Sequence, residues 1–333
     1  MIRMNLGMNS YNIEIERGGI SKAKEYFNLN RNVMIITDEG VPVVYAEKIA
    51  EQCRKAYIKV VPQGEESKSF QMVEEILKDM LKLQFSRKDC VIAVGGGVIG
   101  DLAGFVASLY MRGIDFYNVP TTVLSQVDSS IGGKTAVNLA GIKNIVGAFH
   151  QPKAVLIDSE TLDSLSDRQV INGLIESVKM GATSDKELFD MFLQDTWKEQ
   201  IDVIIEKSLL VKKYVVEEDE KESHLRKILN YGHTIGHGFE SAAKGKYLHG
   251  ECVGMGMLYM SSEEVKEQLL KIYKNLGFEV PDVKEFQIKE VQEAITHDKK
   301  ASEAKCSVVY VSEIGKGSIE EWEMDAVLER LEQ

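Results

Sequence analysis

The sequence predicts an α/β domain followed by a mostly α-helical domain, and three observations carry this prediction. The chain has 333 residues, which is long for a single hydrophobic core. Four of the five prolines and 15 of the 27 glycines lie in the first 152 residues. Strand and helix patterns alternate in that part, whereas long helical patterns dominate the rest. We therefore predict domains over residues 1–165 and 166–333.

Five β-branched runs bounded by turn residues predict the strands of the first domain. They read NVMIITDEG, IKVVPQGE, DCVIAVGGG, FYNVPTT and AVLIDSE. Helical patterns such as SFQMVEEILKDMLKLQF lie between them. Because strands that alternate with helices are joined by crossover connections, this order favours a mostly parallel sheet.

The second domain is predicted from long stretches with apolar residues at helical spacing. The stretch KEQIDVIIEKSLLVKKYVVEEDEKESHLRKILNYGHTIGHGFESAA shows this spacing without a helix breaker. The pattern GMLYMSSEEVKEQLLKIYKNLGF ends at Gly277, a typical helix C-cap. Near the end of the sequence, KCSVVYVSEIGKGSIEEW predicts a short hairpin.

Composition excludes several classes of protein. The formal net charge of −12 argues against a nucleic-acid partner, which needs a basic surface. An anionic ligand must therefore be captured by a local cationic pocket. Four cysteines lie far apart without a CxxC pair, which is typical of a reducing compartment and excludes a thiolate metal site. No apolar run is long enough for a membrane span, and the N-terminal residues lack the apolar core of a signal peptide. We expect a cytoplasmic protein.

A glycine-rich turn in CVIAVGGGVIGDLAGF follows a buried strand and opens a helix. Gly95, Gly97 and Gly100 match GxGxxG, but Asp101 follows at once, whereas the dinucleotide fingerprint has its acid about 20 residues on. SSIGGKTA is not a P-loop, because Asp128 stands where that motif needs glycine. The glycines and the helix N-terminus still favour a Rossmann-like phosphate or nucleotide site. The alternative is a tight turn without a ligand.

Three of the six histidines, His233, His237 and His249, lie within one short region. The first two are four residues apart and share a helix face. HTIGH lacks the glutamate of the metalloprotease motif. Two histidines and a carboxylate favour a metal site with a position open for substrate. Glu240 and Glu251 lie nearby, but the acid can also come from elsewhere in the chain. The alternative is a set of hydrogen-bonded polar histidines.

The segment VDSSIGGKTAVNLAGIKNIVGAFHQP mixes polar side chains with glycines. Lys134 and Lys143 are suited to phosphate or carboxylate capture. Asp128, Asn138 and Asn144 lie among small apolar residues, which favours a pocket. The alternative is a surface with solvated lysines.

Together these motifs resemble the 3-dehydroquinate synthase family. The resemblance rests on GGGVIGDLAGF, MRG, VPTTVLSQVDSSIGGKTAVN, KNIVGAFHQP, DEKESHLRKILNYGHTIGH and LHGE, in order from about residue 63 to residue 300. It implies an N-terminal NAD-binding α/β domain and a helical domain that binds zinc or cobalt. The implied reaction converts 3-deoxy-D-arabino-heptulosonate 7-phosphate to 3-dehydroquinate and phosphate. Its steps are transient NAD-dependent oxidation, phosphate elimination, reduction, ring opening and an intramolecular aldol.

The resemblance also implies roles for individual residues. The metal ligands are Glu176, His233 and His249, and His237 handles a proton beside them. NAD contacts are assigned to Gly64, Glu65, Lys68, Gly97, Val98, Ile99, Gly100, Asp101, Thr121, Thr122, Lys134, Lys143, Thr161, Leu162, Asp163 and Ser164. Catalytic or substrate contacts are assigned to Asp128, Lys134, Asn144, Lys179, Lys212, Arg226, Asn230 and a lysine of HDKK, Lys299 or Lys300. Arg112 corresponds to the residue that this family lends across a homodimer interface.

The chain departs from the family's pattern at Ile175, Met180, Gly238 and His224. These departures leave every assigned metal ligand in place, but they alter the packing around the ligands and can shift metal affinity. Two alternatives to the implied function are another sugar-phosphate cyclase, of the 2-deoxy-scyllo-inosose synthase type, and a metal-dependent glycerol or alcohol dehydrogenase. A cyclase releases phosphate without accumulating NADH, whereas a dehydrogenase accumulates it.

Overall fold

The computed structural model describes residues 1–194, 196–298 and 305–332. The chain divides into two compact units, Met1–Ser166 and Asp167–Gln333. The first unit is an α/β unit with a mostly parallel sheet, and the second is mostly helical. The predicted fold class is confirmed. Within the described residues, no helix combines the length and apolar character needed to cross a membrane.

The first unit contains nine strands and four α-helices among its described residues. The strands are Ile2–Met4 (β1), Tyr11–Ile15 (β2), Asn32–Asp38 (β3), Lys55–Val61 (β4), Cys90–Gly95 (β5), Asp115–Pro120 (β6), Lys134–Leu139 (β7), Ile142–Phe149 (β8) and Ala154–Ile157 (β9). The helices are Ala23–Tyr26 (α1), Val43–Ala50 (α2), Phe70–Lys82 (α3) and Gly97–Leu109 (α4). The five predicted strands correspond to β3, β4, β5, β6 and β9.

Seven of these strands form one sheet in the order β1-β2-β9-β6-β5-β3-β4. All neighbouring pairs are parallel except β1 with β2. Side chains alternate across β3: Met34 and Ile36 belong to the core cluster that includes α3 and α4, and Val33 and Ile35 belong to the cluster on the other face. The sheet is therefore buried on both faces, which explains why its central strands are almost wholly apolar.

The strand order reverses beside β3, because β4 pairs on one side of it and β5 on the other. Ligands of open parallel sheets bind outside the carboxyl ends of the strands at such a switch point. Here those ends are Asp38 of β3 and Gly95 of β5. The glycine-rich turn therefore occupies the position in the sheet where a nucleotide is expected.

The second unit contains eight α-helices and a hairpin among its described residues. The helices are Asp167–Ser184 (α5), Lys186–Met191 (α6), Ile201–Glu218 (α7), His233–Ala243 (α8), His249–Tyr259 (α9), Glu263–Leu276 (α10), Ile288–Asp298 (α11) and Met324–Glu329 (α12). The strands Lys305–Val311 (β10) and Gly317–Glu323 (β11) form the predicted antiparallel hairpin. Gly277 ends α10 with φ +69°, as predicted for a C-cap.

The sequence shows helical spacing without a helix breaker between α7 and α8, but the structure has a turn there. The interpretation of this stretch as unbroken helix is wrong. The carboxylate of Asp219 accepts hydrogen bonds from the N–H groups of Ser223, His224 and Arg226. This turn closes α7, and Gly232 then adopts φ +77° immediately before α8. A short polar side chain that binds nearby N–H groups offers the backbone an alternative to the helix. Apolar spacing alone does not reveal that alternative.

Candidate metal and nucleotide sites

Helices α8 and α9 approach each other through glycines, and this contact brings two histidines together. A Cβ on Gly256 would lie 2.0 Å from the carbonyl oxygen of Gly232, and one on Gly236 would lie 2.9 Å from the backbone of α9. Because these positions carry no side chain, the two backbones touch. His233 begins α8 and His249 begins α9, and their rings lie 5.2 Å apart between centroids.

Glu176 of α5 supplies the carboxylate. Its Oε1 lies 3.3 Å from Nε2 of His249 and 3.8 Å from Nε2 of His233. A tetrahedral ion with bonds of about 2.0–2.1 Å separates its ligand atoms by about 3.4 Å. Glu176 is 1% exposed, and among the described residues neither carboxylate oxygen has a hydrogen bond of normal geometry. A buried carboxylate whose Oε1 faces two imidazole nitrogens fits a divalent cation.

The outer nitrogens of both imidazoles have acceptors that fix the rings. Nδ1 of His233 lies 3.1 Å from the carbonyl oxygen of Tyr231, and Nδ1 of His249 lies 2.9 Å from Oε2 of Glu240. Both acceptors require a proton on Nδ1, so the Nε2 atoms, which face Glu176, are the ones that would offer lone pairs to a cation. Histidine ligands of metals commonly donate their other N–H to a carboxylate or a carbonyl in this way. Oε2 of Glu240 is thus bonded to the outer nitrogen of His249, whereas Oε1 of Glu176 faces the Nε2 atoms of both imidazoles.

The electrostatics of the three residues follow from their burial and from Lys179, which forms an ion pair with Glu176 inside the unit. Burial raises the pKa of Glu176, but Lys179, His233 and His249 together outweigh burial and hold that pKa well below its usual range. Burial, reinforced by Lys179, lowers the pKa of His233 to about 3. Burial also disfavours charge on His249, yet hydrogen bonding to Glu176 and Glu240 raises its pKa to about 10. The metal-free site balances the charge of Glu176 with two cations.

His237 lies one helical turn after His233 on α8. Its ring centroid is 5.2 Å from that of His233 and 5.8 Å from that of His249. It is exposed, and with Glu240 and His249 it forms a second group whose ligand atoms lie within 4.8 Å of one another. Glu240 and His249 already bond to each other in that group. His237 is thus an accessible imidazole at the edge of the metal site.

Other predicted residues of the second unit are buried cations and an amide. Lys179, Lys212 and Arg226 are 1%, 5% and 3% exposed. Asn230 donates through Nδ2 to Oε1 of Glu222 at 2.9 Å, and both line a cavity of about 270 Å³. Sequence reasoning missed Glu222, because it lies in the charged run DEKE and resembles a solvated residue there. Lys299 and Lys300 lie outside the described residues.

The predicted nucleotide turn is a strand-to-helix connection, as the sequence indicates. β5 ends at Gly95, and Gly96 precedes α4 without a side-chain cap. The first N–H groups of α4 therefore face outward with the positive end of the helix dipole, which suits a phosphate group. A Cβ on Gly97 would lie 3.1 Å from the Ser129 hydroxyl, and one on Gly100 3.2 Å from the Asn118 amide. These glycines therefore also allow close packing within the unit.

Lys68 brings several predicted residues together. It is 4% exposed, and its Nζ lies 2.8 Å from Oδ2 of Asp101 and 3.5 Å from Oε1 of Glu65. The same ammonium donates to Oδ1 of Asn144, which adopts φ +55° in the β7–β8 hairpin. Three residues assigned to NAD and one assigned to substrate thus share one hydrogen-bonded cluster.

The remaining predicted residues of the first unit occupy different surroundings. Lys134 and Lys143 are exposed on the β7–β8 hairpin, and Asp128 is half-buried in the turn before it. The Thr161 hydroxyl is buried, donates to the carbonyl of Asp158 and accepts from Nε2 of Gln126. The positions of the other predicted cofactor residues in this unit are as follows: Gly64 precedes a 3₁₀ turn that contains Glu65; Thr121 and Thr122 follow β6; Leu162, Asp163 and Ser164 lie in a 3₁₀ turn after β9.

Arg112 lies in a strained segment after α4. Met111 and Arg112 both adopt left-handed conformations, with φ +48° and +69°, and Gly113 follows with φ +117°. Each such non-glycine residue costs about 1–2 kcal/mol. Two in succession are typical of a segment whose conformation serves a function.

The fold and the metal site define a class of protein. Similar proteins include a 2-deoxy-scyllo-inosose synthase, crystallised with carbaglucose-6-phosphate, NAD⁺ and Co²⁺. That structure matches with a TM-score of 0.91 and 26% identity over 99% of this chain and 98% of the other. The class is therefore that of the sugar-phosphate cyclases.

Sequence comparison narrows the class to a family. The N-terminal model of 3-dehydroquinate synthase matches residues 58–172, and the C-terminal model matches residues 173–301. The 3-dehydroquinate synthase of Thermoanaerobacter pseudethanolicus is 42% identical over 86% of this chain and 85% of its own length. That of Dictyoglomus turgidum is 42% identical over 90% and 87%. The chain belongs to the 3-dehydroquinate synthase family.

Proposed function

We propose that the chain converts 3-deoxy-D-arabino-heptulosonate 7-phosphate to 3-dehydroquinate and phosphate, with NAD and a divalent metal as cofactors. The conversion proceeds through transient oxidation, phosphate elimination, reduction, ring opening and an intramolecular aldol. The observation that carries the proposal is the convergence of Glu176 with Nε2 of His233 and His249 in a chain of this family. The comparison structure with NAD⁺ and Co²⁺ supports the choice of cofactors.

Glu176, His233 and His249 are the proposed metal ligands. An ion bound there, zinc or cobalt, supplies Lewis acidity that lowers the pKa of a substrate hydroxyl. The protein fixes the three ligand atoms before the ion arrives, because Tyr231 and Glu240 orient the imidazoles. Burial of the site keeps bulk water from competing with substrate and strengthens charge interactions there.

The proposed substrate contacts of the second unit are suited to an anionic sugar. Lys179, Lys212 and Arg226 carry positive charge at buried positions. They supply the local cationic pocket that a protein of net charge −12 needs for a phosphorylated acid. Asn230 is proposed to bind a substrate oxygen, and the exposed imidazole of His237 to move a proton.

The proposed NAD contacts lie in the first unit. The N-terminus of α4 at the strand-order reversal offers N–H groups for the pyrophosphate. When bound, NAD takes up a hydride and later returns it, so the net reaction is redox-neutral. Lys68 and Asp101 neutralise each other in the cofactor-free cluster, and Asp128, Lys134, Lys143 and Asn144 are proposed to meet substrate or cofactor there. Lys299 is a further proposed substrate contact.

The test is a phosphate-release assay with the heptulosonate and NAD⁺, run with and without a chelator. We expect phosphate release that the chelator abolishes, without accumulation of NADH. His249→Ala should abolish the release, whereas Lys271→Ala, at an exposed residue of the same unit, should retain it. Accumulated NADH would favour the glycerol or alcohol dehydrogenase alternative. No release from the heptulosonate, with release from another sugar phosphate, would favour the other cyclases.

We also propose a homodimer in which Arg112 serves the partner's active site, and a cytoplasmic location. The strained left-handed backbone at Arg112 supports the first proposal, and the four free cysteines support the second. Mixing inactive Arg112→Ala chains with inactive His249→Ala chains should restore part of the phosphate release, because a mixed dimer contains one complete site. If mixing restores no activity after exchange of subunits, Arg112 is not shared.

A further inference from the structure

We infer that Arg168 is a positioning residue for the metal site. Its guanidinium donates two hydrogen bonds to the carboxylate of Glu251. This bidentate contact, the Arg168 fork, holds the first turn of α9, which begins with the proposed ligand His249. The inference rests on the proposed metal function and assigns a new residue to it. Arg168 touches neither His249 nor Glu176 in any described contact. Its effect on the metal therefore passes through the helix that it holds.

The contact between Arg168 and Glu251 is bidentate. Nε of Arg168 donates to Oε1 at 2.6 Å, and Nη2 donates to Oε2 at 2.7 Å. The Glu251 side chain is 12% exposed, and this hydrogen bonding raises the pKa of Arg168. Isolated surface ion pairs contribute little, but a bidentate fork on a mostly buried carboxylate fixes geometry as well as charge.

The same two side chains also hold the backbone immediately before His249. Oε2 of Glu251 accepts the N–H of Leu248 at 2.8 Å, and Nη2 of Arg168 donates to the carbonyl of Lys246 at 3.1 Å. Leu248 is the N-cap of α9 and has no side-chain oxygen to cap the helix. The loop before it contains Gly245 with φ +87°. The fork therefore holds the loop before α9, in which a flexible glycine and an uncapped helix start provide little restraint of their own.

One face of α5 repeats this pattern. Arg168, Asn172 and Glu176 are spaced four residues apart and lie on one side of the helix. Oδ1 of Asn172 accepts the N–H of Gly250 at 2.6 Å, and a Cβ on Gly250 would lie 2.0 Å from the Asn172 carbonyl. Helix α5, which carries the proposed ligand Glu176, thus contacts the start of α9 from three successive turns. The relative position of Glu176 and His249 depends on these contacts.

A site held in this way loses little conformational entropy when it binds an ion. Without the fork, the first turn of α9 and the loop before it must be ordered by the ion itself. Changes outside the ligand shell typically weaken metal binding about 10- to 100-fold. We expect Arg168→Met to weaken Zn²⁺ binding about tenfold and Arg168→Lys, which keeps one point contact, to weaken it less.

The experiment measures Zn²⁺ affinity of the full-length protein by competition with a chromophoric chelator, together with the melting temperature with and without Zn²⁺. Lys207→Met is the matched control, because Lys207 of α7 pairs with Glu187 at 2.9 Å and with Asp185 at 3.7 Å, and neither partner lies in a helix that carries a proposed ligand. Arg168→Met should lower affinity and reduce the stabilisation by Zn²⁺. Lys207→Met should change neither, whatever its effect on the metal-free melting temperature.

A double-variant cycle shows whether Arg168 acts through Glu251. The variant with both Arg168→Met and Glu251→Gln should bind Zn²⁺ no more weakly than the weaker single variant, because the two residues act as a unit. Equal affinity of wild type and Arg168→Met would overturn the inference while leaving the proposed function intact. Absence of Zn²⁺ binding by the wild type would overturn the proposed function itself. If Arg168→Met does not fold, Arg168→Lys supplies the same comparison.

Discussion

Replacing Glu176 by glutamine should destabilise the metal-free protein, because it leaves Lys179 buried without its carboxylate. Both side chains are 1% exposed and form an ion pair. Removing one partner of a buried pair costs about 3–5 kcal/mol. With an m-value of about 2 kcal/mol/M, the urea midpoint of the second unit should fall by roughly 1.5–2.5 M. Glutamine keeps nearly the same volume, so the loss reports charge and not a cavity.

The assay is urea unfolding followed by circular dichroism, with a chelator present so that bound metal contributes nothing. The control is Glu176→Gln combined with Lys179→Met, which removes both charges and keeps an apolar stem of similar length. We expect the double variant to recover most of the lost stability, since well-packed apolar replacements of buried pairs are often neutral. If Glu176→Gln lies within about 1 kcal/mol of wild type, or if the double variant is no more stable, the account of the buried pair is wrong.

Three further predictions concern the same unit. Glu240→Gln should weaken Zn²⁺ binding about 10- to 100-fold, because it alters the acceptor of His249 Nδ1. Unchanged affinity in a chelator competition would contradict this. Gly256→Ala should destabilise the unit by about 3 kcal/mol or more, because its Cβ would lie 2.0 Å from the carbonyl oxygen of Gly232. A free energy of unfolding within about 1 kcal/mol of the wild-type value would show that the two backbones do not touch there. Burial raises the pKa of Asp219, but backbone N–H donors outweigh burial and hold that pKa well below its usual value. The charged carboxylate therefore stabilises the fold above about pH 4, and this stabilisation is lost as the pH falls. The stability difference between wild type and Asp219→Asn should therefore shrink below about pH 4, and a constant difference in urea titrations would count against it.

Five of the nine described strands of the first unit, β3, β4, β5, β6 and β9, were predictable from their β-branched residues and the turn residues that bound them. β3 is buried on both faces, so its central residues VMII are all apolar, and the strand ends at Asp38 in a turn. A buried parallel strand requires this composition. The short antiparallel strand β1 has only three residues, Ile2–Met4. So short a segment carries too little pattern to be predicted, and its place is set by its pairing with β2.

The second unit shows where apolar spacing misleads. The residues between α7 and α8 keep helical spacing, yet the carboxylate of Asp219 captures three backbone N–H groups and turns the chain. Buried side chains such as Ile228 and Leu229 are packed in the 3₁₀ turn that follows. Burial explains their apolar character, and the turn explains their backbone. The apolar character of these residues can be seen in the sequence, but the turn at Asp219 cannot.

The site was predicted unevenly for a similar reason. Clustering indicated His233, His237 and His249 together. The family resemblance supplied the choice of His233 and His249 as ligands, and it supplied Glu176, which lies far away in the sequence. No local pattern around Glu176 indicates a metal ligand. Its neighbours in GLIESVKMG are buried by helix packing, so the segment has the pattern of an ordinary core helix. The orienting role of Glu240 and the fork of Arg168 depend on tertiary contacts. The four-residue spacing of Arg168, Asn172 and Glu176 was the one sequence signal that could have indicated a shared polar face.

The most direct test of the account is an anomalous diffraction map of crystals grown with Zn²⁺, recorded at the zinc edge. We expect one strong peak per chain, about 2.0–2.2 Å from Nε2 of His233, Nε2 of His249 and a carboxylate oxygen of Glu176. Nδ1 of His249 should remain bonded to Glu240. A map in which these three side chains surround no peak at saturating Zn²⁺, or in which the ion binds elsewhere, would contradict the account.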